Sequence, residues 1–343
     1  MSGAIAVFGA SGHTGRFVVA ELLRRGLKPL LVGRDEAKLI AAGFHGGGIE
    51  NRVATFDDPA SLERALAGAA AVINCAGPFL DTAEPLVTAA LRARVYYLDV
   101  TAEQASALST FERFDAPARE RGIVVLPAMG FYGGLGDLLA TAALGDWTSA
   151  EEICLATALS SWRPTEGTRR TGERNTAPRL ALIDGQLRPL GTGRTRSWSF
   201  PEPFGEQDVV ELPLSETIAI ARHLRVVDLH TYINVAPLRD LDDPATPPPT
   251  AADERGRSEQ TFLVDATVRS GTATRRARVR GRDIYAVTAP LVVEAAQRIL
   301  DGVGAGGGVF AAGELFDAPN FLRALGPEHL IFVDDAGYGP LQV

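Results

Sequence analysis

The stretch Val7-Phe8-Gly9-Ala10-Ser11-Gly12-His13-Thr14-Gly15-Arg16 constrains this chain more than any other. Ahead of it, Ala4 to Phe8 is a short apolar run of the kind a buried parallel strand shows. Behind it, Phe17-Val18-Val19-Ala20-Glu21-Leu22-Leu23 continues at helical spacing. Strand, glycine turn and helix leave the first N–H groups of the helix unpaired at the positive end of its dipole, a seat for a diphosphate. Gly9 would make the tight turn, Gly12 would admit the phosphate to the backbone, and Gly15 would let helix and strand pack closely. Ser11, His13 and Thr14 between them join the list of cofactor-binding candidates. The spacing G-x-x-G-x-x-G is a relative of the dinucleotide fingerprint G-x-G-x-x-G, and a glycine triplet alone also suits a strand-to-helix turn in another α/β protein.

The following segment narrows the choice. Leu30-Leu31-Val32 reads as a second strand, ending in Gly33-Arg34-Asp35. An acidic residue here grips the ribose 2′-hydroxyl of NAD, whereas an arginine accommodates the 2′-phosphate of NADP. Arg34 therefore points to NADP(H), with Asp35 read as the N-cap of the helix Glu36-Ala37-Lys38-Leu39-Ile40. Asp35 turned to the ribose would point to NAD instead.

A chain of 343 residues suggests about two domains. Its net charge of −8 argues against a nucleic-acid surface. Cys75 and Cys154 are too few for a disulfide framework or a cysteine metal site, so a reducing, cytoplasmic setting is the expectation. No run approaches the ~20 apolar residues of a membrane span, and the N-terminus has no basic n-region, so neither a membrane nor a secretory route is expected.

Strands and helices alternate through the first half, with further strands at Arg52 to Phe56, Ala70 to Cys75, Val95 to Asp99 and Ile123 to Leu126, and a flexible loop at Gly46-Gly47-Gly48. This predicts an α/β fold: a Rossmann-type doubly wound parallel sheet over residues 1–145, with ligands at the carboxyl ends of its strands. Over residues 146–287, strands follow one another with few helices between them, at 152–157, 194–200, 208–212 and 226–234, and as a hairpin of 261–268 with 274–280. They predict a second, α+β domain with a mixed or antiparallel sheet, serving substrate binding and a homodimer interface. Residues 288–343, with a helix from Thr288 to Leu300 and a flexible joint from Gly302 to Gly308, are expected to return towards the first domain.

The strand ends carry the candidate site. Asn74-Cys75-Ala76-Gly77-Pro78-Phe79 sets a polar side chain, a permissive glycine and a stiff proline where the cofactor's second half would lie, nominating Asn74, Ala76, Gly77 and Pro78. Asp99-Val100-Thr101-Ala102-Glu103 adds Asp99 and Thr101 in the same layer, and Met129 to Asp137 is a glycine-rich entry to another helix. Asn74 equally suits a turn, and Thr101 a helix cap.

Together with Gly9-Ala10-Ser11-Gly12-His13-Thr14-Gly15, Val32-Gly33-Arg34 and Gly130-Phe131, these segments resemble the saccharopine dehydrogenase-like oxidoreductases, a group that includes proteins labelled trans-acting enoyl reductases. The resemblance is specific over the N-terminal 140 residues and weaker beyond, at Leu214-Ser215-Glu216-Thr217, Tyr285-Ala286-Val287-Thr288-Ala289 and Gly308-Val309-Phe310. It implies NADP-linked hydride transfer on a Rossmann domain with a substrate domain attached, without carrying over the saccharopine substrate. Ala102 stands where the family commonly has glycine, and Tyr132-Gly133-Gly134 replaces its acidic and serine residues.

Hydride transfer asks of a protein only orientation, exclusion of water and one proton. Tyr132, just after the sixth strand, is the first acid candidate. His223 is the second because histidine titrates near neutrality, although a helix surface suits it as well. Arg163, Arg169, Arg170 and Arg174 suit a fork for a substrate carboxylate or phosphate, or simply a solvated loop. Arg275, Arg276, Arg278, Arg280 and Arg282 read as an exposed strand face. The only lysines are Lys28 and Lys38, so the Tyr-x-x-x-Lys pair of short-chain reductases is absent. No Gly-x-Ser-x-Gly elbow occurs, and His13, His45, His223, His230 and His329 are too scattered for a metal motif. The expectation is an NADPH-dependent reductase or dehydrogenase acting on a C=N or conjugated C=C bond of a small acid or acyl substrate, carboxylates included. The rival is a non-catalytic NADP-binding sensor or scaffold.

Overall fold

The computed structural model describes residues 3–44 and 49–334. The loop Gly46-Gly47-Gly48, His45 and residues 335–343 lie outside this range. The first half alternates β1 (Ala4–Phe8), α1 (His13–Arg24), β2 (Pro29–Gly33), α2 (Glu36–Ala41), β3 (Glu50–Val53), α3 (Pro59–Leu66), β4 (Ala69–Asn74), α4 (Phe79–Ala93), β5 (Tyr96–Asp99), α5 (Gln104–Arg121) and β6 (Val124–Leu126). An irregular turn, Phe131–Leu135, leads into α6 (Gly136–Leu144). The caps are local: the Asp35 side chain accepts the Lys38 N–H, and Asp58 accepts the Ala60 N–H ahead of α3 with Pro59 in its first turn.

The second half runs β7 (Ala150–Leu159), α7 (Glu166–Arg174), β8 (Leu180–Ile183), β9 (Gln186–Pro189), β10 (Thr195–Ser199), β11 (Glu206–Glu211), α8 (Ser215–His223), β12 (Val226–Asn234), α9 (Val235–Asp242), β13 (Thr261–Ser270) and β14 (Ala273–Arg282). It closes with α10 (Thr288–Leu300), β15 (Gly308–Val309), α11 (Ala312–Leu315), α12 (Ala318–Ala324), α13 (Gly326–His329) and β16 (Leu330–Asp334).

Two sheets organise these elements. The first is parallel throughout, in the order β15-β6-β5-β4-β1-β2-β3, so the strand order reverses between β1 and β4. In such a doubly wound sheet the ligand crevice lies at that reversal. The second is mixed, in the order β10-β11-β12-β7-β13-β14-β16, with β12 and β7 parallel and the other neighbours antiparallel. Helix α10 packs on α1 and on strands β4 and β5, and β15 extends the first sheet beside β6.

Four local expectations change. The third strand ends at Val53 because Thr55 and Phe56 leave the sheet: the Thr55 N–H donates to Ser61 Oγ, and the Phe56 ring packs on Phe8 with centroids 4.7 Å apart. Gly302 to Gly308 is no free joint. A Cβ on Gly307 would lie 2.6 Å from the Ile123 nitrogen, and Gly308 pairs with Val124, so the glycines admit this segment to the edge of β6. The arginine-bearing stretch after Trp162 forms α7, which Thr165 caps by accepting the Thr168 N–H. The arginines of β14 are half-buried except for the exposed Arg280; Arg276 and Arg278 both reach the buried Asp265 carboxylate, at 3.2 and 3.1 Å.

The docking of α10 on α1 centres on Arg25, whose Nε lies 2.7 Å from Glu21 and whose Nη1 lies 2.5 Å from Glu294, all three largely shielded from solvent. Arg25→Ala would cut the link between Glu21 and Glu294, leaving each with one arginine of its own helix, Arg24 and Arg298, and is expected to destabilise the fold by about 2 kcal/mol. Urea unfolding measures this; a change below about 1 kcal/mol would show that the contact is not fastened there.

Candidate active site

The glycine loop leaves no room for side chains. Gly9 has φ +81°, in the region glycine favours. A Cβ on Gly15 would lie 2.1 Å from the Gly9 carbonyl oxygen, and one on Gly12 3.1 Å from the same atom. Gly12 caps α1 without a side chain, so the N–H groups of the first turn stay open to an anion. Ser11 turns its carbonyl to Arg16 Nε at 3.2 Å. The His13 ring stands edge-on to both Phe17 and Tyr285, 5.3 Å from each, and burial holds its pKa below the usual value. At the end of β2, Arg34 is exposed and has no side-chain partner among the described residues, while Asp35 is engaged as a cap.

Three nominated residues prove to be interior braces. Asn74, Asp99 and Thr101 have no exposed surface. Asn74 Nδ2 donates to Thr82 Oγ1 and the Tyr97 hydroxyl oxygen at 3.2 and 3.3 Å, and its Oδ1 accepts the Ala76 N–H. Asp99 accepts the Thr101 N–H, the Ala128 N–H and the Tyr97 hydroxyl. Burial nevertheless pushes its carboxyl up to about 6 against these donors. Thr101 Oγ1 accepts the Glu103 N–H, and Glu103 takes the N–H groups of Phe79 and Leu80 at 2.7 and 2.9 Å, capping α4 from the neighbouring strand end.

A cavity of about 180 Å³ opens beside these braces. The first domain contributes Thr14, Cys75, Gly77, Phe79, Val100 and Ala102. The opposite wall carries Phe131, Tyr132, Trp162, Thr168, Thr171 and Tyr285. Of the nominated residues, Thr14, Gly77 and Tyr132 thus meet in one place; Ala76 and Pro78 flank Gly77 in the same loop.

The two acid candidates sit differently from one another. Tyr132 stacks on Trp162 with centroids 5.4 Å apart, but its hydroxyl is sealed from solvent and unpartnered, and burial raises its pKa well above the usual phenol value. It turns a ring, not an acid, to the cavity. His223 lies outside the lining. Its Nε2 is 2.7 Å from Oδ1 of the fully buried Asp137, whose Oδ2 accepts the Gly313 N–H, so this pair ties α8 to α6 and α11. Burial lowers the His223 pKa, but the charge and hydrogen bond of Asp137 together carry it above the usual value.

Behind Tyr132 lies a smaller cavity of about 20 Å³, room for one water, where the Tyr132 hydroxyl, Glu216 Oε2 and Thr231 Oγ1 have no partner among the described residues. Burial pushes the Glu216 carboxyl up to about 7, against the Leu214 N–H on its Oε1 and the positive charge of Arg179. Sequence reasoning missed Glu216, Trp162, Thr168 and Thr171 as site residues. Glu216 and Tyr285 carried a signal as parts of resemblance landmarks; Trp162, Thr168 and Thr171 lie in a stretch without period or motif.

Residues 5–126 match the family model described as the saccharopine dehydrogenase NADP binding domain. The N-terminal domain is similar to that NADP binding domain. Two curated relatives each align with just over a third of the chain. A saccharopine dehydrogenase-like oxidoreductase of Bos taurus is 26% identical over 145 residues, 37% of this chain and 34% of that protein. The lipid droplet localized protein of Caenorhabditis elegans is 31% identical over 139 residues, 37% of this chain and 33% of that protein. The match therefore spans about a third of each relative's length. Apo saccharopine dehydrogenase (L-Glu forming) from Saccharomyces cerevisiae superposes over 98% of this chain and 100% of that one with a TM-score of 0.68, at 12% identity, which establishes the shared fold. In that domain the α1 N-terminus has no side-chain cap, and Arg34 has no side-chain partner among the described residues. Among the described residues no cluster suits a metal ion, and no helix is long and apolar enough to cross a membrane.

Glu216 links stability to pH. Its carboxyl stays protonated in the fold to about pH 7 but ionises near 4.5 when exposed. Its raised pKa contributes stability below pH 4.5 that is lost as pH rises through 7. Wild type should therefore lose up to about 3 kcal/mol relative to Glu216→Gln over that window. Urea titrations of both proteins at either end of the window check this; a gap independent of pH contradicts it.

Proposed function

We infer that the protein is an NADP(H)-dependent oxidoreductase transferring a hydride to or from a conjugated C=C or a C=N bond of a small acid or acyl substrate. The position of the larger cavity carries this reading. Thr14 follows β1 and Gly77 follows β4, so the cavity sits where the strand order of the first sheet reverses. Trp162, Thr171 and Tyr285 from the second half face those residues across it. A bound NADPH supplies the hydride; the chain's part is to orient the substrate and exclude water. Helix α7 helps close the cavity, tied to α4 by Arg174 Nη2, 2.9 Å from Asp81.

The sealed Tyr132 hydroxyl and the Asp137-bound His223 favour a second reading, an NADP-binding sensor or scaffold, because neither acid candidate turns a proton-donating group to the cavity. Turnover separates the two. NADPH oxidation across a panel of enones, imines and carbonyl compounds, lost in Gly12→Glu, supports the enzyme; tight NADPH binding with no turnover supports the sensor.

Cofactor choice has its own test. Arg34→Ala should raise the Kd for NADPH about tenfold or more while leaving that for NADH nearly unchanged. Equal losses for both cofactors, measured by fluorescence titration, would remove the role given to Arg34.

A further inference from the structure

The oxidoreductase reading, on which this step rests, leaves the substrate open between a charged acid and a neutral acyl compound. We propose that the cavity takes an uncharged, flat, conjugated carbonyl compound, that it disfavours carboxylates, and that the Thr171 hydroxyl donates to the substrate's carbonyl oxygen. Among the described residues, no Arg, Lys, His, Asp or Glu lines the cavity. Its aromatic rings include the stacked pair Tyr132 and Trp162, beside Phe79, Phe131 and Tyr285, which suits a planar group.

The arginines that suit a carboxylate fork are engaged elsewhere. Arg174 spans both carboxylate oxygens of Asp81, and Arg169 Nη2 donates to the Asp243 and Thr246 carbonyls at 3.0 Å each. Arg170 pairs with Glu166 on its own helix. Arg163 is exposed and borders a separate polar cavity of about 410 Å³, beside Glu259. A carboxylate entering the aromatic cavity would be desolvated with no cation opposite it, which is costly.

The cavity's hydroxyls identify the donor. Tyr285 accepts from Trp162 Nε1 and shares a hydrogen bond with Thr168, which also meets Thr165. Thr288 Oγ1 accepts the Phe131 N–H and donates to the Ile284 carbonyl. Thr171 Oγ1 has no partner among the described residues and lies 2.9 Å from the place a Cβ on Gly77 would take, facing the end of β4. Thr14 is likewise unpaired but belongs to the glycine loop, on the cofactor side. A donor at the carbonyl oxygen acts where charge develops. As a hydride adds to the β carbon, the C=C electron pair moves towards that oxygen; the resulting enolate takes a proton from water at the α carbon.

Benzylideneacetone and cinnamate share a skeleton and differ in charge. Their binding to the NADP⁺-loaded protein is read by quenching of tryptophan fluorescence, with Trp162→Phe as control, and their turnover by NADPH oxidation. The ketone should bind at least about 100-fold more tightly than the acid. Thr171→Val should weaken the ketone about tenfold, Thr171→Ser should restore it, and neither should alter NADPH affinity. Equal or tighter binding of cinnamate, binding of neither probe, or a Thr171→Val protein indistinguishable from wild type would overturn the proposal. Selective ketone binding without NADPH oxidation would support the selectivity and count against the oxidoreductase reading alone.

Discussion

The buried carboxyl of Asp99 holds the strand ends in the arrangement on which the site depends. Its two oxygens collect the N–H groups of Thr101 and Ala128 and the Tyr97 hydroxyl, and its backbone carbonyl accepts the Met129 N–H. This joins the end of β5 to the chain leaving β6, where Ala128 is held at φ +60°. Ala128's own carbonyl then accepts the N–H groups of Gly130 and Gly134, shaping the turn that delivers Phe131 and Tyr132 to the cavity. Through Tyr97 the network reaches Asn74 and the loop after β4; through Thr101 it reaches Glu103 and the start of α4. Desolvation pulls the carboxyl towards its neutral form, and the three donors oppose it.

The second half of the chain is fastened to the same strand ends. Ser215 Oγ lies 2.9 Å from each of the Thr101 and Tyr132 carbonyls, and Gln104 bonds the backbone of Leu180 and Leu214. His13 touches Tyr285 from the glycine loop. The cavity is therefore a joint product of both sheets. Its cover differs in kind from its floor: α7 has no buried residue, and the ion pair of Arg174 with Asp81 is exposed, the sort of contact that adds less than about 1 kcal/mol. The wall bearing Thr168 and Thr171 is thus less firmly anchored than the braced strand ends.

Much of the first domain was legible because its signals are local. The glycine turn, the alternation of strand and helix, and the cap at Asp35 follow from sterics and hydrogen bonds spanning a few residues. The glycines at 302–308 misled for the same reason. Read alone, they signal freedom; only the approach to Ile123 and Val124 shows that they permit contact. The stretch after Trp162 misled in the opposite sense, because its helix turns threonines to the cavity, buries no residue and so lacks an apolar period.

The site divides along the same line. The glycine turn, the start of α1 and the open position of Arg34 were legible from the sequence alone, since they rest on backbone geometry or on a place at a strand end. It also placed Asn74, Asp99, Thr101 and Tyr132 in the right layer. Only the tertiary structure decided which way they turn, because the Ala128 N–H, Thr82 Oγ1 and the seal over Tyr132 come from other elements. The wall of Trp162, Thr171 and Tyr285 was likewise a tertiary decision: those residues share no periodicity or motif with the strand ends, and meet them only when the two sheets pack together.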